Sequence, residues 1–303
     1  MAFVTRPVLL VAVLWVASGC AHLPGRAPEA ARATAGRTER RELEVEGRRR
    51  SYLVHWPASR LGAAPLPLIL MLHWHGGTAR RMMRRSGLNA VADREGWMAV
   101  YPEGTSWGGT PWRSWNAGSC CGYAVQRRVD DVRFLDALIS DLERTQAIDP
   151  ARVFFAGASN GGMMAYRAGC ELTDRIAAIG VVAGAMAAPS CAPSRALPVF
   201  ILHGTADRFI LYEGGRSPRG GGRVDLSVAK TARFWAAHNG CAPSVHTQRE
   251  GLMTLSRFEG CRDDSEVSVM TIEGGAHAWP RGQARFSVET LWTFFARHRR
   301  KDS

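Results

Sequence analysis

Short, fully apolar runs alternate along this chain with longer amphipathic stretches. Leu43 and Val45, then Tyr52, Val54 and Trp56, alternate with polar residues on either side of Gly47, the period-two pattern of a half-buried antiparallel hairpin at a sheet edge. Leu66 to Leu72 is continuously apolar and suits a strand buried on both faces; Ala79 to Arg94 reads as helix with a weak point at Gly87, and Trp97 to Tyr101 is the next strand. After an irregular stretch rich in Gly, Trp and Cys, a helix starts at Asp130-Asp131 and turns Val132, Leu135, Leu138, Ile139 and Leu142 to one face. Both aspartates read as helix-start residues. Strand Val153 to Ala156 follows, then apolar segments Ile176 to Val182 and Val199 to Leu202, a helix from Leu226 to His238, a strand at Val267 to Ile272 and a last helix from Phe286 to His298. This alternation predicts an α/β fold with a doubly wound, mostly parallel sheet and an antiparallel N-terminal edge hairpin.

Composition changes the picture in two places. With 303 residues, 46% hydrophobic and 22% charged, the chain is long enough for one large core. Its formal charge of +12 comes from arginine, since the only lysines are Lys230 and Lys301. Those arginines are scattered, and no zinc-finger spacing, RNA-binding aromatic motif or helix-turn-helix accompanies them, so a nucleic-acid partner is not expected. At the N-terminus, Arg6 precedes the apolar run Val8 to Val16, too short to span a bilayer and suited to a signal peptide over residues 1–19. Ala17-Ser18-Gly19-Cys20 resembles a bacterial lipobox, which implies lipid on Cys20 and attachment to a membrane at the cell envelope; a plain secretory signal with an incidental cysteine, and so an extracellular protein, is the alternative. Residues 20–38 then read as a flexible tether, with Arg26 to Arg50 expected to hold it near anionic head groups, and residues 39–299 as one catalytic domain. In an oxidising compartment the six other cysteines can pair. Cys241 and Cys261 flank a predicted hairpin, Cys170 and Cys191 bracket one strand and its loop, and Cys120 and Cys121 remain as a vicinal pair.

Chemistry concentrates where predicted strands end. Val153 to Ala156 runs into Gly157-Ala158-Ser159-Asn160-Gly161-Gly162 and then a helix, a turn that can project a serine hydroxyl if its flanking residues are small. No Gly-Lys-Ser/Thr follows, which argues against a Walker-type phosphate loop. Val199 to Leu202 runs into His203-Gly204-Thr205-Ala206-Asp207, and Val267 to Ile272 into Glu273-Gly274-Gly275-Ala276-His277. A serine hydroxyl needs an imidazole to take its proton, and that imidazole needs an acceptor to fix its tautomer. The order Ser159, Asp207, His277 is the order of α/β-hydrolases. His203, His238 and His246 are weaker candidate bases, and Glu213 and Asp225 are rival acids. His73 and His75 raise zinc as an option, but no partner stands at metalloprotease spacing, so neither a metal nor a cofactor is expected.

Ser114-Trp115-Asn116-Ala117-Gly118 with Cys120-Cys121-Gly122, Val129-Asp130-Asp131-Val132, Ser159-Asn160-Gly161-Gly162-Met163-Met164, His203-Gly204-Thr205-Ala206-Asp207 and Gly275-Ala276-His277-Ala278-Trp279-Pro280 together resemble the polyhydroxybutyrate depolymerase and feruloyl esterase family, over Arg41 to His298. The resemblance implies a secreted serine ester hydrolase using Ser159, Asp207 and His277 on a plant-wall phenolic or acetyl ester, or on a polyester. Trp115 and Trp279, inside its motifs, are expected to touch substrate. The backbone N–H of Asn160 is the expected first oxyanion donor, with a second from Trp74 or His75. Similar proteins carry His-Gly-Gly-Gly where this chain has His73-Trp74-His75-Gly76, so on a loop free of strain Trp74 is expected either to wall the acyl pocket or to be a buried core tryptophan. A serine peptidase, and a lipid-anchored binding module without turnover, are the alternatives.

Overall fold

Ten strands form one sheet in the computed structural model, which describes residues 1–2, 36–58, 65–145, 148–187, 190–218, 222–279 and 288–301. Most of the expected signal peptide, Cys20 and most of the expected tether lie outside the described residues. In chain order the elements are β1 (Arg37–Val45), β2 (Arg48–Trp56), β3 (Leu66–Leu72), α1 (Ala79–Ser86), α2 (Leu88–Glu95), β4 (Met98–Pro102), α3 (Gly122–Gln126), α4 (Asp131–Thr145), β5 (Ile148–Ala158), α5 (Asn160–Glu171), β6 (Ala178–Val182), β7 (Val199–Gly204), β8 (Gly215–Arg216), β9 (Val224–Asp225), α6 (Val228–Asn239), β10 (Val245–Glu250), β11 (Met253–Phe258), β12 (Val267–Ile272) and α7 (Val288–Ala296). The large sheet runs β1-β2-β4-β3-β5-β6-β7-β12-β11-β10. Its centre from β4 to β12 is parallel, and an antiparallel hairpin closes each edge.

The period-two rule sorts the core onto two faces. Leu68, Leu70 and Leu72 of β3 with Val153 and Phe155 of β5 face Leu135 of α4, Met164 of α5 and Trp235 of α6. Ile69 and Met71 with Phe154 and Ala156 face Met82 of α1, Val91 of α2 and Phe295 of α7. Helices on both faces make the central strands apolar throughout, which is why they read as continuous runs. Gly87 adopts φ +71°, a left-handed conformation that ends α1 and starts α2, so the weak point in the predicted helix is a break.

One expectation needs correction here. β1 begins at Arg37, and Arg37 to Arg50 forms the edge hairpin instead of a tether; Arg50 is buried. Both aspartates do stand at the helix start: Asp130 caps α4, accepting from Arg133 N at 2.9 Å, and Asp131 is its first residue, which is in addition a fully buried ion-pair partner of Arg50 at 2.7 Å. Three disulfides are formed, Cys120–Cys121, Cys170–Cys191 and Cys241–Cys261, the last spanning the β10–β11 hairpin.

Candidate active site

Because the central strands are parallel, β3, β5, β7 and β12 all end at one edge of the sheet, where an open α/β sheet forms its crevice. Half-buried Ser159 stands between β5 and α5 with φ +54° and ψ −121°. A non-glycine residue held at positive φ costs of order 1–3 kcal/mol and persists only where its surroundings over-determine it. Here they do. A Cβ on Gly157 would strike the Gly161 carbonyl, and one on Gly161 would strike the carbonyls of Leu72 and His73, so both glycines let α5 press against β5 and β3. Ser159 N donates to Val182 O at 2.8 Å, and Ser159 O accepts from Met163 N at 2.9 Å.

His277 reaches Ser159 from the loop after β12, its Nε2 3.1 Å from Ser159 Oγ. Its Nδ1 lies 2.7 Å from Asp207 Oδ2, on the loop after β7. Gly204 and Gly275 bring the two loops together, since a Cβ on Gly204 would run into Gly275, and Ala206 N donates to Gly275 O at 2.9 Å. Asp207 Oδ1 accepts from the N–H groups of Phe209 and Ile210 at 2.8 and 2.9 Å. Its Oδ2 also lies 3.2 Å from His203 Nε2, which donates to Ile210 O at 2.9 Å and therefore carries a proton. Burial pushes the Asp207 carboxyl up; the hydrogen bonds from His203, His277 and Ile210 outweigh it and hold the group well below the usual carboxylate range. With Asp207 anionic, Nδ1 of His277 carries the proton and Nε2 offers its lone pair to the serine.

The loop after β3 is fixed by His73. Fully buried, it donates from Nδ1 to Trp74 O at 2.8 Å and accepts at Nε2 from Gly104 N at 3.0 Å. Burial lowers its pKa to about 4, so the ring is neutral. Both nitrogens are occupied, leaving no lone pair for a metal. Within this loop positive φ falls on Gly76 at +75°, and Trp74 and His75 keep φ values open to any residue. Gly76 and Gly77 donate to Arg113 O and Trp74 O, whereas the N–H groups of Trp74 and His75 have no acceptor among the described residues. Asn160, the first residue of α5, has its own N–H among that helix's orphan donors. Its side chain accepts from Trp115 N at 2.8 Å and donates to Trp115 O at 3.1 Å, tying the loop after β4 to the elbow.

Trp115 and Trp279 do not line a substrate surface. Trp115 is completely buried, donates from Nε1 to His73 O at 2.9 Å and stacks on Phe134; Trp279 is 6% exposed and packs in the core with α7. Indole rings this large add more by filling the core and anchoring a loop than by waiting in water. Trp74 is half-buried against the same core as Trp279, and His75 is exposed. The rival acids and bases lie elsewhere: Asp225 pairs with Arg223 in the β8–β9 ribbon, Glu213 and His246 are exposed, and His238 bonds Arg195 O. Three contributions were missed in the sequence: the His203 contact to Asp207, the Asn160 side-chain clamp and the Arg50–Asp131 pair. A signal existed for Arg50, which falls on the inward register shared by Tyr52, Val54 and Trp56.

A mostly parallel sheet with Ser159 on its strand-to-helix elbow, an aspartate after β7 and a histidine after β12 defines an α/β-hydrolase. Solved structures agree on the fold. An acetyl xylan esterase from Aspergillus awamori superposes with a TM-score of 0.62 at 14% identity, covering 85% of this chain and 99% of that one. An S-formylglutathione hydrolase from Agrobacterium tumefaciens gives 0.52 at 12% identity, covering 86% and 92%. Residues 51–213 match the family described as esterase PHB depolymerase, and the chain belongs to that family. Feruloyl esterase B of Piromyces equi is 30% identical over 236 residues, which span 76% of this chain and 42% of that protein. NocK of Nocardia uniformis subsp. tsuyamanensis, named as an esterase, is 32% identical over 272 residues, spanning 81% and 75%.

Proposed function

We propose that this chain is a serine carboxylic-ester hydrolase that works through an acyl-enzyme. The observation that carries the reading is the unbroken run Ser159 Oγ, His277, Asp207 at 3.1 and 2.7 Å, set on three strand ends of a chain from an esterase family. Ser159 Oγ attacks the ester carbonyl as His277 Nε2 takes its proton. The tetrahedral oxyanion forms against the N–H of Asn160 and an N–H of Trp74 or His75, which are free of internal acceptors or at a helix start. His277 then passes the proton to the departing alcohol, leaving the acyl group on Ser159. In the second half a water, deprotonated by His277, attacks the acyl carbonyl; the acid leaves and Ser159 regains its proton. Asp207 stays ionised throughout and holds the imidazolium.

The relatives named feruloyl esterase and acetylxylan esterase support feruloyl and acetyl-xylan esters for this chain over hydroxybutyrate polyesters. A panel of nitrophenyl acetate, methyl ferulate, acetylated xylan and hydroxybutyrate oligomers, run with the parent and Ser159→Ala, tests the reading. Turnover of at least one ester that falls about 10⁴-fold or more in the variant is the expected result; equal turnover by Ser159→Ala overturns it. Three disulfides accord with an oxidising compartment. The same proposal has Cys20 lipidated, so Cys20→Ser should move the protein from the membrane to the soluble fraction, and unchanged retention would count against the anchor.

A further inference from the structure

The loop after β4, residues 104–115, sits between the His73–Gly77 loop and a basic cleft. Its ends pair through Thr105 with Ser114 and through Arg113 with Gly77, and Trp115 is clamped by Asn160. Between those anchors Trp107 and Trp112 are 68% and 67% exposed. Trp112 is nevertheless fixed in place. It lies on the Cα of Gly76, where a Cβ would collide with the indole, and stacks on the His75 ring at 6.1 Å and 23°. The His75 ring in turn covers Gly122. An indole held by packing and still two-thirds in water presents a preformed apolar face, beside the loop proposed to bind the oxyanion.

Under the same loop runs a cleft of about 210 Å³ whose lining includes Arg48, Arg49, Arg113, Thr105 and Ser106 and none of Ser159, Asp207 and His277. Buried Arg50 and part-buried Glu103 also line it, but each is neutralised: Arg50 by Asp131, and Glu103 by Arg113 at 3.2 Å. Arg49 meets Glu42 only at 3.6 Å while 82% exposed, and Arg48 has no acidic partner among the described residues. At the cleft mouth Arg48 therefore keeps its positive charge, with Arg49 beside it partly offset by Glu42. Inside it Thr105 Oγ1 is buried without a hydrogen-bond partner. A concave, positively charged site the size of a single ring, under a loop that also exposes two indoles, suits a sugar bearing a carboxylate better than a planar membrane surface.

We infer that this loop and cleft form a polymer subsite for the alcohol side of the ester: Trp107 and Trp112 stack on sugar rings, and Arg48 and Arg49 take the carboxylate of a uronic acid unit in the same chain. The C–H faces of a sugar ring pack on the electron-rich indole face, and the carboxylate accepts charge-assisted bonds from the guanidinium groups. The inference rests on the ester-hydrolase reading, yet it is tested by binding. Isothermal titration of the Ser159→Ala protein with a glucuronate-bearing xylo-oligosaccharide and with a neutral one of equal length separates the two, because neither probe carries an ester. The acidic probe should bind roughly fivefold more tightly at low salt, and 0.5 M NaCl should remove the difference. Arg48→Gln/Arg49→Gln should abolish the preference and keep neutral binding, and Trp107→Ala/Trp112→Ala should weaken both probes roughly three- to tenfold. Equal affinity for the two probes, a preference that survives the arginine changes, or binding to phosphatidylglycerol vesicles without oligosaccharide binding overturns it. Salt titration needs no further substitution, so the test stands if an added variant misfolds. Nitrophenyl acetate hydrolysis by the parent reports on the ester-hydrolase reading separately.

Discussion

Asp131 and Asp207 are both buried carboxylates, and burial pushes both upward, yet their acidities move in opposite directions. Asp131 opens α4 with no exposure, facing the Arg50 guanidinium at 2.7 Å and accepting from Asn116 N at 2.7 Å. Burial dominates there and the carboxyl is raised, while the same burial lowers Arg50. Asp207 has no formal cation fixed beside it. It accepts from the N–H groups of Phe209 and Ile210 and from His277, whose side chain is partly exposed, and lies 3.2 Å from His203 Nε2. The carboxyl is held low. One opposite charge, itself buried, offsets desolvation less well than several aligned donors do. The first arrangement is a strut between β2 and α4; the second keeps an anion ready behind an imidazole.

The largest effect expected from breaking the comparison is at Asp207. Asp207→Asn preserves shape but offers His277 the wrong partner, so kcat on nitrophenyl acetate should fall roughly 10³- to 10⁴-fold with the circular dichroism spectrum intact. If turnover stays near the parent level, Asp207 is not the group that orients His277. Asp131→Leu should act on stability instead, losing about 3–5 kcal/mol in urea unfolding because Arg50 is left charged, buried and unpaired. Activity per folded molecule should stay within a few-fold of the parent. Adding Arg50→Met to that variant should recover part of the loss, and a double variant less stable than Asp131→Leu would show that the pair does more than neutralise itself.

The pH dependence of stability sharpens the contrast further. Since the folded-state carboxyl of Asp207 is depressed, its stabilisation is fully present above the unfolded value of about 3.9 and is lost as pH falls through the folded value. The melting-temperature gap between the parent and Asp207→Asn should stay level from pH 7 to 5 and close below pH 4; a gap that closes already near pH 6 would contradict the depressed carboxyl. The smallest effect is expected at His203, a positioning residue that acts through Asp207. His203→Ala should lower kcat roughly three- to tenfold with KM unchanged, as one charge-assisted hydrogen bond is lost. His203→Gln, which returns an N–H near the Nε2 position, should recover most of it. A general loss of folding shared by both variants would show instead a purely structural part.

The edge hairpin, the buried central strands and the break at Gly87 were legible because each is a local property: alternation, continuous apolarity and a residue that tolerates positive φ. Ser159, Asp207 and His277 stood out by their place at strand ends, and the structure brings the three together at hydrogen-bonding distance. Trp115 and Trp279 misled for a physical reason. An aromatic residue inside a functional motif is equally suited to anchoring the motif from below, and nothing local to either tryptophan says which side of the loop it faces.

What the sequence determined by itself was periodicity and order, because strand faces, helix faces and glycine-dependent turns are set by neighbours a few residues away. Only the tertiary structure decided the pairings across the chain. His203 touches Asp207 because β7 ends in a turn that folds its carboxylate back over the strand; Arg50 meets Asp131 across 81 residues, and Asn160 grips Trp115 across 45. Such contacts depend on which strand lies beside which and on how deeply each group is covered, and those follow from closing one sheet between two layers of helices.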